Sequence, residues 1–185
     1  MAEPVLVRPM KRQGSKHSNE PLKQKVERAI GDEFVSWLNK GNCSQFQFER
    51  VGADPPDLIY RDGNKTLAIE ITTAYYDQED ASMLWRLARE DRTTPVKRSK
   101  PFDEPDQRLI GDINKRIIAK CLGAHEAGTV LVIDVYPAIT RTDEFETLRH
   151  KIAIPGAIPF GAIYVTGWFP SGGDGRGGYS CWKVS

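Results

Sequence analysis

The chain has 185 residues, of which 39% are hydrophobic and 28% are charged, and its formal net charge is +1. This balance is ordinary for a soluble protein, and the length suits one domain with a sizeable core. No apolar stretch approaches the roughly 20 residues that cross a bilayer, and residues 1–20 contain no apolar segment of the signal-peptide kind. These properties argue against a membrane protein and predict a cytoplasmic location.

The first elements in chain order are a tail and an amphipathic helix. Residues 1–20 contain prolines, a glycine and several basic residues without periodicity, which predicts a mobile basic tail. From Pro21 onward, apolar residues recur every three or four positions as far as Leu38, and Gly41 ends the pattern. We therefore expect a single domain over residues 21–185 that begins with a helix.

Strand patterns follow this helix. Apolar and polar residues alternate over residues 46–51, which predicts the first strand. Two apolar runs, residues 58–61 and 66–73, flank an Asp-Gly-Asn turn signal and predict a hairpin. A short helix is expected at residues 83–88, before a loop rich in proline and lysine whose length is typical of functional loops.

The second half of the chain continues with alternating helices and strands. A clear apolar stripe predicts a helix over residues 106–122, and the apolar run 129–136 is typical of a central strand. A short helix is predicted at 143–150, and the last strands at 162–168 and 179–184. The expected fold class is therefore α/β, in the mixed α+β sense, with a central mixed sheet flanked by helices.

Two carboxylates in the predicted hairpin are the main candidates for chemistry. Asp57 stands at the start of the first hairpin strand, and Glu70 lies between Ile69 and Ile71 in the second. Alone, Asp57 after two prolines is typical of a turn, and Glu70 of a strand residue that reaches the sheet edge. Together, two acids on adjacent strands can hold a divalent cation, which also offsets the cost of burying their charge.

The segment in which Pro56-Asp57 is followed, after twelve residues, by Glu70-Ile71-Thr72 resembles the active-site core of the PD-(D/E)xK nuclease superfamily. That superfamily has the restriction-endonuclease-like fold, and the ending is similar to a Glu-x-Thr group of uncharacterised bacterial proteins within it. The resemblance covers residues 24–136. It implies a helix, a three-stranded meander, a crossover helix and a further central strand.

The same resemblance implies a site and a reaction. Asp57, Glu70 and the carbonyl of Ile71 would hold Mg²⁺ or Mn²⁺, and the reaction would be hydrolysis of phosphodiester bonds in nucleic acid. DNA is expected rather than RNA, although no feature of the sequence itself separates the two. A homodimer is compatible with the resemblance, but no self-complementary surface can be read from the chain.

Thr72 stands where the family has a lysine that orients or polarises the attacking water. A hydroxyl brings no charge, so we expect Lys120 to serve instead, because it lies at the edge of the isoleucine stripe of the second long helix. A solvated helix lysine is the alternative. The family often contributes a glutamate from the first helix, and here either Glu27 or Glu33 fits, unless both are ordinary surface acids.

Two further groups of residues are candidate nucleic-acid contacts. The basic tail and the cluster in the proline-rich loop can contact phosphates, although charge runs in loops are also typical of solvated surface. Tyr75 and Tyr76 could stack on a base, with packing as the alternative. The loop cluster consists of Arg92, Lys97, Arg98 and Lys100.

These observations predict a magnesium-dependent nuclease as the leading function. The missing motif lysine favours an alternative, a catalytically inactive domain of the same fold that binds nucleic acid or regulates. A small-molecule hydrolase and an immunity-type partner protein have no direct support in the sequence.

Overall fold

The computed structural model describes residues 22–77, 79, 81, 82, 103–136, 140–170 and 177–185. Within these ranges the chain forms a six-stranded mixed sheet with helices packed against it, so the predicted fold class is confirmed. The predicted short helix at 83–88 lies outside the described residues. The helices are α1 (Leu22–Asn42), α2 (Pro105–Cys121), α3 (Thr142–Leu148) and a 3₁₀ turn (Arg149–Lys151); the strands are β1 (Gln47–Val51), β2 (Leu58–Asp62), β3 (Lys65–Ala74), β4 (Val130–Val135), β5 (Ala162–Phe169) and β6 (Gly178–Lys183).

The strands lie in the sheet in their chain order, from β1 to β6. β1, β2 and β3 form an antiparallel meander, β3, β4 and β5 run parallel, and β6 closes the sheet antiparallel to β5. The step from β3 to the parallel β4 requires a crossover, and α2 lies within that connection. β4 has the central position that its continuous apolar run predicts.

The two long helices cover opposite faces of the sheet. Because side chains of a strand alternate between faces, Ile69 and Ile71 of β3 pack against α1, together with Phe34. On the other face, Leu131 and Ile133 of β4 pack against the buried stripe of α2. Glu70 therefore lies on the α2 face of the sheet, between two residues that belong to the α1 face.

The predicted element boundaries agree with the structure to within one or two residues for most elements. The helix expected over residues 143–150 is divided into α3 and the 3₁₀ turn that follows it. None of the helices in the described part of the chain has both the length and the apolar character that crossing a membrane requires.

Candidate metal centre

The β2–β3 hairpin brings Asp57 and Glu70 together. Leu58 pairs with Ile69, so Asp57 stands one residue before the first pair of the ladder and beside Glu70. The backbone N–H of Ile71 donates a 2.8 Å hydrogen bond to Oδ2 of Asp57. β3 continues to Ala74 in its ladder with β4, so both acids lie where β2 leaves β3. Asp57 is 6% exposed and Glu70 is 2% exposed, as expected of side chains that need a compensating partner.

A tight loop before β2 adds Asp54 to this pair. The N–H of Gly52 donates to the carbonyl of Asp57 at 2.8 Å, and the N–H of Asp54 donates to the carbonyl of Pro56 at 3.3 Å. A Cβ at position 52 would lie 1.7 Å from the Pro56 carbonyl oxygen, so the loop can close in this form only around a glycine. The closed loop holds Asp54 on the same side as Asp57.

Carboxylate oxygens of Asp54, Asp57 and Glu70 all lie within 4.8 Å of one another. Glu70 Oε2 is buried and has no hydrogen-bond partner among the described residues. Such an atom is costly to bury, and an oxygen-binding cation is a partner that would satisfy it. The three carboxylates therefore fit a hard divalent cation and could hold one.

Lys120 of α2 contacts the acidic cluster through Glu70. Its Nζ donates a short hydrogen bond to Oε1 of Glu70, and its side chain is 30% exposed. Ile113 and Ile117 are fully buried in the core, which turns Lys120 toward β3 at the edge of the same helical stripe. Lys115, five residues earlier in the same helix, is exposed.

The C-terminal end of α2 is held in place by a histidine. The Nε2 of His125 lies 2.8 Å from the carbonyl oxygen of Lys120, and because a carbonyl can only accept, Nε2 is the donor. The ring of His125 packs against Phe160, with ring centroids 4.4 Å apart. His125 thus fixes the backbone from which Lys120 extends.

Of the two candidate glutamates of α1, Glu27 is the one close to the acidic cluster. Its side chain is 13% exposed and forms a 3.1 Å ion pair with Nζ of Lys23. Burial and then the nearby charge of Asp57 raise the pKa of Glu27. Burial also raises the pKa of Asp57, against the effect of the Ile71 hydrogen bond. Both acids therefore retain protons more strongly than exposed carboxyl groups do.

Glu33 has a different environment. Its Oε1 accepts a 2.7 Å hydrogen bond from Nε1 of Trp168 on β5. Because Glu27 and not Glu33 adjoins Asp57, Glu27 is the α1 residue that could influence a cation at the cluster.

The remaining predicted residues have distinct placements. Thr72 is half-buried and follows Glu70 by two positions, so it shares the α2 face of β3. The Ile71 side chain packs in the core on the α1 side, while its N–H donates a hydrogen bond to Asp57.

The predicted nucleic-acid contacts have other placements. The basic tail and the loop cluster (Arg92, Lys97, Arg98 and Lys100) lie outside the described residues. Tyr76 is buried, and its hydroxyl donates to the carbonyl of Asp103 at 2.8 Å, as the packing alternative predicts.

A cavity of about 210 Å³ opens beside the cluster. Asp54, Glu70, Lys120 and His125 contribute to its lining. A ligand in this cavity would contact the carboxylates of Asp54 and Glu70 and the ammonium of Lys120. These groups suit a phosphate group that is bridged to the protein by a cation.

Asp54 is not among the residues predicted from the sequence, although an acidic side chain three residues before Asp57 is a signal that points to it.

Comparisons of this chain with protein-family models, with curated proteins and with solved structures found no match.

Proposed function

We propose that this protein is a divalent-metal-dependent nuclease that hydrolyses phosphodiester bonds in nucleic acid. One observation carries the proposal: the buried Glu70 has one oxygen bonded to Lys120, and its other oxygen, beside Asp54 and Asp57, has no partner in the part of the chain that the structure describes. A carboxylate cluster with an adjacent ammonium provides the groups that phosphodiester hydrolysis requires.

Each side chain has a role in this proposal. Asp54, Asp57 and Glu70 would hold Mg²⁺ or Mn²⁺, and such an ion would relieve phosphate charge and activate water. Lys120 is partly exposed, so its ammonium can contact Glu70 and also donate to a phosphate oxygen or to the attacking water. Glu27 would add negative charge next to Asp57 and favour cation binding.

The order of the elements supports the resemblance to the PD-(D/E)xK superfamily. A helix, an antiparallel three-stranded meander, a crossover helix and a parallel strand follow one another from Leu22 to Val135. In this interpretation the lysine function has moved from β3, where Thr72 stands, to Lys120 of α2. The proposed substrate is DNA rather than RNA.

An inactive nucleic-acid-binding domain of the same fold is the second candidate. The observation that favours it is the ion pair between Lys120 and Glu70, which already neutralises one buried carboxylate. In such a protein the pair would be structural and no cation would be needed.

The decisive experiment is calorimetric titration of Mn²⁺ into the purified protein, beside Glu70→Gln and the control Glu146→Gln. Glu146 is exposed and pairs with Arg149 on the surface, so its change should leave binding unaltered. We expect binding in the wild type and the control and none in Glu70→Gln. In a cleavage assay with labelled DNA and RNA, the wild type and Glu146→Gln should cut and Glu70→Gln should not. Metal-dependent cutting retained in Glu70→Gln would overturn the assignment.

A further inference from the structure

The sheet-facing stripe of α1 changes from apolar to charged in the first turns of the helix. Ile30 and Phe34 are buried in this stripe and pack against the sheet. Four- and three-residue steps continue the same stripe toward the N-terminus, where it contains Glu27 and then Lys23. Because Glu27 adjoins Asp57, the charged end of the stripe lies at the metal centre. α1 therefore directs a lysine as well as a glutamate toward the acidic cluster.

The ammonium of Lys23 has hydrogen-bond donors to spare. Its Nζ lies 3.1 Å from Oε1 of Glu27, and the Lys23 side chain is 63% exposed, whereas that of Glu27 is 13% exposed. An ammonium has three N–H donors, and this ion pair uses one of them. The others are open to a ligand that approaches from solvent.

Lys23 also interacts electrostatically with the acids of the cluster. Its hydrogen bond to Glu27 raises the pKa of Lys23, against the effect of burial. The charges of Glu27, Asp57 and Asp54 raise this pKa further. The lysine therefore stays positively charged beside the carboxylates that would hold the cation.

Lys120 and Lys23 approach the cluster from opposite sides. α1 and α2 cover opposite faces of the sheet, and among the described residues the lining of the cavity beside the cluster includes Lys120 and not Lys23. The acids thus lie between two ammonium groups, one from each long helix. A polyanion that leaves the cavity across the cluster toward α1 would contact Lys120 first and Lys23 last.

We propose that Lys23 binds the phosphate next to the scissile phosphate, on the α1 side of the metal centre. The inference rests on the proposed nuclease function and adds a substrate-binding residue to that site. Contacts to phosphates fix the register and orientation of a nucleic acid without reading its sequence. Lys23 thus orients the strand across the cluster, while Lys120 contacts the phosphate that reacts.

The test is fluorescence anisotropy with a labelled DNA duplex and a labelled single strand of the same sequence, in EDTA and over a series of salt concentrations. Lys23→Gln should weaken binding roughly threefold or more and reduce the slope of log affinity against log salt by about 1, because one phosphate contact is lost. Lys23→Arg keeps the charge and should bind as the wild type does. Lys25→Gln is the matched control, since Lys25 is exposed, lies on the opposite side of the same helix and carries the same charge.

A second comparison separates contact with phosphate from a role that acts only through Glu27. In a Glu27→Gln background, Lys23→Gln should weaken DNA binding by the same factor as it does in the wild type. Loss of the effect in that background would show that Lys23 only holds Glu27 in place, and it would overturn the inference.

Steady-state cleavage kinetics provide a further readout. Lys23→Gln should raise KM and leave kcat nearly unchanged, because contact with a phosphate that does not react is the same in the ground state and in the transition state. A fall in kcat at unchanged KM would place Lys23 at the reacting phosphate and contradict its assignment to the neighbouring one.

The binding outcomes are independent of the proposed function. Weaker binding and a lower salt slope in Lys23→Gln, but not in Lys25→Gln, support the phosphate contact whatever the result of the manganese titration. Equal affinities in these two variants, or no binding of either DNA by the wild type, would overturn it. The proposed nuclease activity would still be tested by the Glu70→Gln experiment.

Discussion

Lys120 on α2 donates a hydrogen bond to Oε1 of Glu70 on β3, fifty positions earlier in the chain. The contact joins the crossover helix to the strand that carries the buried acid. It also means that Lys120 and a bound cation would compete for the same carboxylate. This competition allows the role of the lysine to be separated from that of the metal ligands.

Replacing Lys120 by Met should have opposite effects on stability and on metal affinity. In EDTA the melting temperature should fall, because Glu70 loses the partner of a buried charge. The Mn²⁺ affinity should rise roughly fivefold to tenfold, since an ammonium a few ångströms away repels the ion by about 1 kcal/mol or more. Cleavage should nevertheless fall about 100-fold if Lys120 acts on water or phosphate.

Calorimetry, thermal melts and a cleavage assay would check these three effects. Lys40→Met is the matched control, because Lys40 is an exposed lysine of α1 that lies outside the lining of the metal-site cavity. Lower Mn²⁺ affinity in Lys120→Met than in the control would contradict the competition between the lysine and the cation.

The elements and part of the site are predictable because their signals are local. Apolar periodicity locates α1 and α2, and the spacing of Lys120 from Ile117 already places it at the edge of the buried stripe. Glu70 is visible as a charge inside an apolar strand. The strand–turn–strand pattern around it is sufficient to place Asp57 alongside.

Other parts of the site depend on tertiary contacts that no local pattern contains. Sequence spacing left Glu27 and Glu33 as alternatives, and the hydrogen bond from Trp168, 135 positions away, is what distinguishes Glu33. Asp54 was missed because its position depends on the backbone closure between Gly52 and Asp57. The residues on either side of Asp54 are otherwise typical of a turn.

The two α1 glutamates can be compared directly by substitution. Glu27→Gln should lower the Mn²⁺ affinity roughly tenfold, because it removes a half-buried negative charge next to Asp57. Glu33→Gln should leave the affinity unchanged, since Gln can still accept the hydrogen bond from Trp168. Titration of both variants at the same pH measures the difference, and equal affinities would remove Glu27 from the site.

The raised pKa of Asp57 gives a stability prediction whose sign can be worked out. A carboxyl whose pKa is higher in the folded state than in the unfolded state stabilises the fold at low pH, and that contribution is lost as the pH rises through the folded-state pKa. Asp57→Asn keeps an acceptor for the Ile71 N–H without the charge. At neutral pH in EDTA it should therefore be more stable than the wild type by about 1 kcal/mol, or roughly 2–4 °C.

Thermal melts at a series of pH values would test this prediction. The difference between Asp57→Asn and the wild type should shrink as the pH falls through the folded-state pKa of Asp57, and it should be lost below about pH 4, where the wild-type carboxyl is protonated in both states. Added Mn²⁺ should stabilise the wild type and not the variant. A variant that is less stable than the wild type at neutral pH in EDTA would show that the charged form of Asp57 is favoured by the fold.

Gly52→Ala tests whether the loop before β2 shapes the metal centre. The new methyl group would overlap the carbonyl oxygen of Pro56, so the backbone that carries Asp54 and Asp57 must move. We expect a loss of roughly 2–4 kcal/mol in the free energy of unfolding, together with a lower Mn²⁺ affinity. Gly41→Ala is the control, since a Cβ there has no neighbour within 4 Å and alanine favours the helix. Denaturant unfolding and manganese titration measure both effects, and wild-type values for Gly52→Ala would show that the cluster does not depend on this closure.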